Sequence, residues 1–533
     1  VDVVFRGARV IDGTGAPAFL ADVGVAEGRI AEVDRRRRLG GRRVVDADGL
    51  VLAPGFIDMH AHSDLQLLAN PGHEAKVCQG VTLEVLGQDG LSYAPVDGAV
   101  LAALREQLVG WNGDPPGFAW DWRTVGEYLD RLDAGIAVNA AYLVPQGTLR
   151  AVCVGWDDRP ATPSEVDAMR GLLDQGLAEG AVGMSSGLTY TPGMYADTGE
   201  LVALCEVVAA RHGYYCPHHR SYGAGALDAY AEMIEVSRRS GCPLHLAHAT
   251  MNFPVNAGRA GDLLALLDGA IAGGCDVSLD SYPYLPGATY LSALLPSWAA
   301  AGGVDATVAR LADPATRQRL RVELEETGSD GCHGVPVDWA TIQISGVRRA
   351  EQAHLVGLTV AEAARRAGRA PAELYFDVLV AERLGTSCLM HVGHEDNVRT
   401  IMRHPAHTAG SDGLLVGERP HPRAWGTFPR YLARYVRELG VLGLEECVAH
   451  LTGRAARRLR LADRGLIREG YAADLVLFDP ETVADTATFD QPGRLPAGIP
   501  HVLVNGVPVV RDGVRTGALP GRSLRNHGAG GVH

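Results

Sequence analysis

Pro54-Gly55-Phe56-Ile57-Asp58-Met59-His60-Ala61-His62-Ser63-Asp64 reads as an apolar strand that ends in two histidines two positions apart. Side chains on a strand alternate with period two, so His60 and His62 share one side and can reach one metal ion. An isolated His-x-His arises readily by chance. Its meaning depends on what the rest of the chain places beside it.

Downstream of this stretch, apolar strands alternate with amphipathic helices such as Ser164 to Glu179, Ala226 to Ser240 and Arg259 to Ala272. That alternation predicts a parallel α/β fold with both strand faces covered. Eight strands are expected, ending near His60, Gly87, Val144, Gly187, His219, His248, Tyr282 and Asp412. Eight βα units predict a TIM-type (β/α)8 barrel over residues 53–462, with its active site at the C-terminal ends of the strands.

Upstream, residues 1–52 show short alternating strands with turn signals at Asp12-Gly13 and Glu27-Gly28. The pattern returns in residues 463–524, so the two chain ends are expected to form one small composite β-sandwich. Residues 287–385 are too long for a loop between the seventh and eighth strands. They are expected to be a folded insertion that lies over the active site as a lid. The glycine-rich end, 525–533, has no apolar pattern and is expected to be disordered.

The chain has 533 residues, 47% of them hydrophobic and 21% charged, as in ordinary globular proteins. A net charge of −14 argues against nucleic acid or an anionic membrane surface as a partner. No long apolar run or signal-peptide pattern is visible, which points to the cytoplasm. Nine cysteines without a C-x-x-C pair fit isolated thiols. Lys76 is the one lysine among 49 basic side chains, so little lysine chemistry is available to the site.

Polar residues at the expected strand ends form a constellation: His60 and His62, Asp89, His218 or His219, His248, and Asp412. Imidazole and carboxylate are the donors that a catalytic zinc takes, with a position left for water. Period two allows only one of His218 and His219 to face the interior. Of His245 and His248, the strand-tip His248 is the better donor, and His245 is expected to pack against a helix.

Several phrases carry a family resemblance: Pro54 to His62 above, Gly80-Val81-Thr82, Leu279-Asp280-Ser281-Tyr282-Pro283-Tyr284, Gly410-Ser411-Asp412-Gly413, and His421-Pro422-Arg423-Ala424-Trp425-Gly426-Thr427. Together they resemble the D-aminoacylase family, the N-acyl-D-amino-acid deacylases of the amidohydrolase superfamily. The resemblance implies a zinc-dependent hydrolase of a C–N amide bond, acting on a small N-acyl-D-amino acid or related N-acyl amine that bears a carboxylate. It implies one tightly bound zinc at Asp89, His218, His248 and Asp412, with His60 and His62 at a second, weakly occupied position. Asp412 is implied as the proton-transfer residue, and Tyr282 and Arg423 as holders of the carboxylate.

Two positions depart from the family pattern. Asp89, in Gly87-Gln88-Asp89-Gly90, stands where relatives usually have cysteine, and a carboxylate is a harder ligand that can bridge two ions. Thr250 stands where a lysine often pairs with the substrate carboxylate. Arg220, beside His218, is a further candidate for substrate binding or for support of the ligand histidine. The rival readings are a cyclic amide or imide hydrolase, which the missing strand-four lysine disfavours, and a non-catalytic scaffold, which the retained donors disfavour.

Overall fold

The computed structural model describes residues 1–533. Eight parallel strands run in sequential order: Phe56–Asp58, Val81–Leu86, Asn139–Pro145, Gly183–Gly187, Tyr214–His218, Leu244–Leu246, Val277–Ser281 and His407–Ala409. The hydrogen bonds Met59 N to Ala409 O (3.0 Å) and Asp412 N to His60 O (2.7 Å) bring the first strand onto the eighth and close the barrel. Helices such as Pro163–Ala178, Thr198–Ala210 and Ala226–Ser240 cover the outside. Capping boxes at Thr124/Glu127 and Thr162/Glu165 start two helices where the Thr-x-x-Glu spacing places them.

Strands from both chain ends hydrogen-bond into one nine-stranded sheet. They join where Val51–Pro54 pairs antiparallel with Leu475–Phe478. The strand that enters the barrel at Phe56 therefore starts from this sheet. That continuity anchors the position of His60 and His62.

After barrel strand seven, Gly287–Tyr290, Ile342–Gly346 and Ser387–Met390 form a separate three-stranded antiparallel sheet. It has its own core, which includes Leu291, Leu320, Phe376 and Cys388. This body stands at the end of the barrel where the strand-end histidines emerge, and contributes Leu294, Gly331, His333 and Met390 to the wall of the cavity there.

The expected disorder of 525–533 is overturned. Arg525 N donates to His533 O (2.9 Å), Val532 is buried and bridges to Leu461, and Arg525 pairs with Asp130 (2.6 Å). Gly528 and Gly531, with φ of 65° and 87°, turn the tail back, so its glycines serve a reversal of direction rather than freedom. All nine cysteines are free. No helix is long and apolar enough to cross a membrane.

Candidate metal centre

The strand ends bring six side chains together in two overlapping groups. In His60, His62, Asp89 and Asp412, and again in Asp89, His218 and His248, potential donor atoms all lie within 4.8 Å of one another. Asp89 belongs to both. Its Oδ1 is 3.4 Å from His60 Nε2 and 3.5 Å from His248 Nε2, while Oδ2 is 3.4 Å from His62 Nε2 and 3.5 Å from His218 Nδ1. Buried Oδ1 has no hydrogen-bond partner. His60 Nε2 meets His62 Nε2 at 3.3 Å, and His218 Nδ1 meets His248 Nε2 at 3.0 Å. Nitrogen facing nitrogen around an unpartnered carboxylate oxygen suits a divalent cation, for which imidazole and carboxylate are ordinary ligands.

Backbone geometry explains why strand periodicity alone under-describes this site. Asp89, His248 and Asp412 all have positive φ (54°, 29° and 50°), a region that non-glycine residues visit at a cost. Each lies just beyond its strand, where the turn redirects the side chain. Gly87 and Gly90 bracket Asp89: a Cβ on Gly87 would sit 2.1 Å from Leu143 O, and one on Gly90 2.4 Å from Gly187 N. Only glycine allows the chain to pass so close to the neighbouring strands.

The two histidine pairs are oriented differently. Thr189 Oγ1 lies 2.7 Å from His218 Nε2, and Tyr222 OH lies 3.0 Å from His248 Nδ1. These contacts turn the opposite ring nitrogens toward Asp89. On the other side, Asp280 stands 3.8 Å from His60 Nδ1, while its other oxygen accepts from the His248 backbone N–H (2.9 Å). Asp280 also faces His245 Nε2 at 3.0 Å, and Ser278 faces His245 Nδ1 at 2.7 Å. His245 thus bonds to strand seven, in place of the expected helix packing. His219 points away from the donors and stacks on Tyr222 and Tyr230.

Electrostatics separate the pairs further. Burial opposes charge on His60 and His62, but Asp89 and Asp412 outweigh it for both, and Asp280 adds to this for His60, holding their pKa values above the ordinary histidine range. At His218 burial prevails over Asp89, and the pKa is lowered. Burial disfavours ionisation of Asp412, yet Arg423 and His60 more than offset it, so its carboxyl is held well below the usual range. Asp412 therefore stands ionised beside the donor cluster.

Beneath His60 lies a buried charge network. Lys76, on the short helix Glu74–Val77, contacts Asp58 Oδ2 (2.6 Å), Glu84 Oε1 (2.8 Å) and Ser411 Oγ (2.9 Å), using all three ammonium hydrogens. Asp58 Oδ1 accepts from the backbone N–H of Ser411 (2.8 Å) and of His60 (3.2 Å). Glu84 Oε2 also meets His73 Nε2 at 2.7 Å. The network ties barrel strands one, two and eight, which carry His60, Asp89 and Asp412. The sequence signals it only through Lys76, the single lysine of the chain.

A cavity of about 80 Å3 opens onto the donors. Tyr282 and Thr250 lie on its wall, together with Trp111, Tyr190 and Tyr222, which the sequence did not single out. Arg423 and Arg220 are absent from the wall. Arg423 is fully buried behind Asp412, donating to Asp412 Oδ2 (2.9 Å) and stacking 4.4 Å over the Tyr282 ring. Its Nε and Nη1 have no acceptor. Arg220 is committed to Glu232 (2.7 Å) and to the carbonyls of Met194 and Ala196, which places it in the frame of the loop rather than against a ligand.

Residues 43–510 match the amidohydrolase family. The chain is 38% identical over 530 residues to N-acyl-D-glutamate deacylase of Alcaligenes xylosoxydans xylosoxydans, covering 98% of this chain and 96% of the relative. A D-aminoacylase structure described for its binuclear metal centre superposes with a TM-score of 0.83 at 35% identity, covering 98% of this chain and 99% of the other. N-acyl-D-glutamate deacylase from Bordetella bronchiseptica, complexed with zinc and a phosphonate mimic of the tetrahedral intermediate, also gives 0.83, at 34% identity and the same coverage. The chain belongs to the amidohydrolase family, in its D-aminoacylase branch, and is a metal-dependent amidohydrolase.

Proposed function

We propose that this amidohydrolase deacylates N-acyl-D-amino acids, with zinc held by His60, His62, Asp89, His218, His248 and Asp412. The observation that carries the reading is the position of Asp89 between the two histidine pairs, each of its carboxylate oxygens facing one nitrogen from either pair. A carboxylate so placed would be able to serve two ions, one beside each histidine pair.

When bound, a divalent ion supplies Lewis acidity, lowering the pKa of water and polarising a carbonyl oxygen. Asp412 takes the proton of the attacking water and returns it to the departing amine nitrogen. Arg423 keeps that carboxylate ionised and fixed in direction through the 2.9 Å contact. Tyr282, on the cavity wall, is placed to bond the substrate carboxylate, and the buried Arg423 guanidinium over its ring adds positive charge from behind. Thr250 stands on the same wall without charge. Residues 287–385 act as a lid that keeps bulk water from the reacting groups.

Purified protein should carry close to two zinc equivalents by elemental analysis. It should release acetate from N-acetyl-D-amino acids far faster than from the L enantiomers. Protein that binds no divalent metal, or that is inactive on both panels after zinc loading, would refute the reading.

A further inference from the structure

The site cavity has a neighbour. Phe253, Leu294, Met390 and Val392 line it on one side and line a second cavity of about 180 Å3 on the other. Val335, Val337, Ile342 and Cys332 extend the second chamber's apolar wall within the inserted body, and neither cavity wall carries a lysine or arginine. The chamber nearest the donors, at about 80 Å3, is the smaller of the two. An apolar cavity of roughly 150 Å3 accommodates benzene, so the second chamber has room for about six carbon atoms.

The partition combines an adaptable side chain with a strained one. Met390 ends an insertion strand, and its unbranched thioether changes rotamer at little cost. Phe253 has φ 67° and ψ 156°, a strained conformation for a bulky residue. It is pinned from the insertion side: its N–H donates to Val392 O (2.8 Å), and His394 Nε2 donates to its carbonyl (2.8 Å). A strained aromatic held in place between two apolar spaces is a constraint that packing alone does not require.

We propose that the two cavities form one substrate channel, and that the preferred substrate carries an unbranched or aromatic apolar chain of about six carbons seated in the second chamber. The inference rests on the deacylase reading and names its substrate class. The chain is either the acyl group or the amino-acid side chain, and both present the same chemistry to this wall. Asp338 is the one carboxylate on that wall, so an anionic side chain would meet no lysine or arginine there and would lose its hydration.

The test is kcat/KM on two panels. One is D-alanine bearing acetyl, butanoyl, hexanoyl or octanoyl groups. The other is N-acetyl-D-alanine, -norvaline, -norleucine and -phenylalanine. Burial of a methylene is worth about fourfold, so one panel should climb by roughly that factor per carbon until the chamber is full, and the climbing panel identifies the arm. A flat response in both overturns the proposal. Val337→Phe and Ile342→Phe, which fill the second chamber, should bring the hexanoyl-to-acetyl or norleucine-to-alanine ratio back toward one. An unchanged ratio in both folded variants also overturns it. Calorimetric titration of the zinc-loaded protein with hexanamide and acetamide reads the chamber without turnover. Tighter hexanamide supports the channel, and equal affinity rejects it even if the deacylase assay fails for its own reasons.

Discussion

His60 and His62 stand on a floor of buried charge, whereas His218 and His248 are held by neutral hydroxyls that arrive on loops. On the first side Lys76, Asp58 and Glu84 are all fully buried, with ion pairs of 2.6 and 2.8 Å. On the second side Thr189 and Tyr222 make one contact each to a ring nitrogen. Tyr222 in turn packs against His333 of the insertion, whose Nδ1 accepts from the Tyr222 backbone N–H at 3.3 Å. One half of the centre is therefore part of the barrel's folding core, and the other is coupled to the body that covers it. Buried charge is costly to disturb because any loss leaves an unpaired ion. A neutral contact is worth about 1 kcal/mol net and can be remade.

Four measurements sharpen or break this contrast. Asp412→Asn removes the proposed proton acceptor, and kcat should fall by about 10^2- to 10^4-fold with circular dichroism unchanged. Near-normal turnover would move the base to another residue. Next in size, Lys76→Met strands Asp58 and Glu84, and the metal-free protein should lose roughly 3–5 kcal/mol of stability in denaturant titration. Tyr222→Phe and Thr189→Val should leave that stability within about 1 kcal/mol while weakening metal binding roughly 10- to 100-fold. If Tyr222→Phe instead destabilised the apo-protein as much as Lys76→Met, the distinction between the halves would collapse.

The smallest effect is a pH dependence. Burial pushes the Glu84 carboxyl up, but His73 and Lys76 outweigh it and lower its pKa from the ordinary 4.5 to about 2. A depressed folded-state value means that the unfolded chain takes up the proton first as pH falls. The contribution of Glu84 is therefore complete above about pH 4.5 and is lost between there and pH 2. Metal-free protein should unfold more easily at pH 3.5 than at 5.5, and Glu84→Gln should flatten that slope. An unaltered slope would assign the acid sensitivity to other carboxylates.

Much of the fold was legible because its signals are local. The eight barrel strands end where apolar runs give way to polar tips, and His60-Ala61-His62 marked the first of them. The rule of two required His218 and His219 to face opposite sides, and they do: His218 faces Asp89, and His219 stacks on Tyr222 and Tyr230. The rule could not foresee that Asp89, His248 and Asp412 reach the centre from left-handed backbone just past their strands, because a turn conformation depends on the neighbours that enforce it. The glycine-rich tail was misread for a related reason: its composition suits disorder, but Leu461 and Arg460 offer it a place to dock.

The sequence by itself determined the barrel, the donor types and their assignment to strand ends, since periodicity and side-chain chemistry are carried by near neighbours in the chain. Tertiary structure alone decided which nitrogen faces which oxygen, that Arg423 lies behind Asp412 instead of in the cavity, and that Lys76 binds Ser411 across 335 positions of chain. Those contacts join residues far apart in sequence. Their existence depends on barrel closure, and no local pattern encodes it.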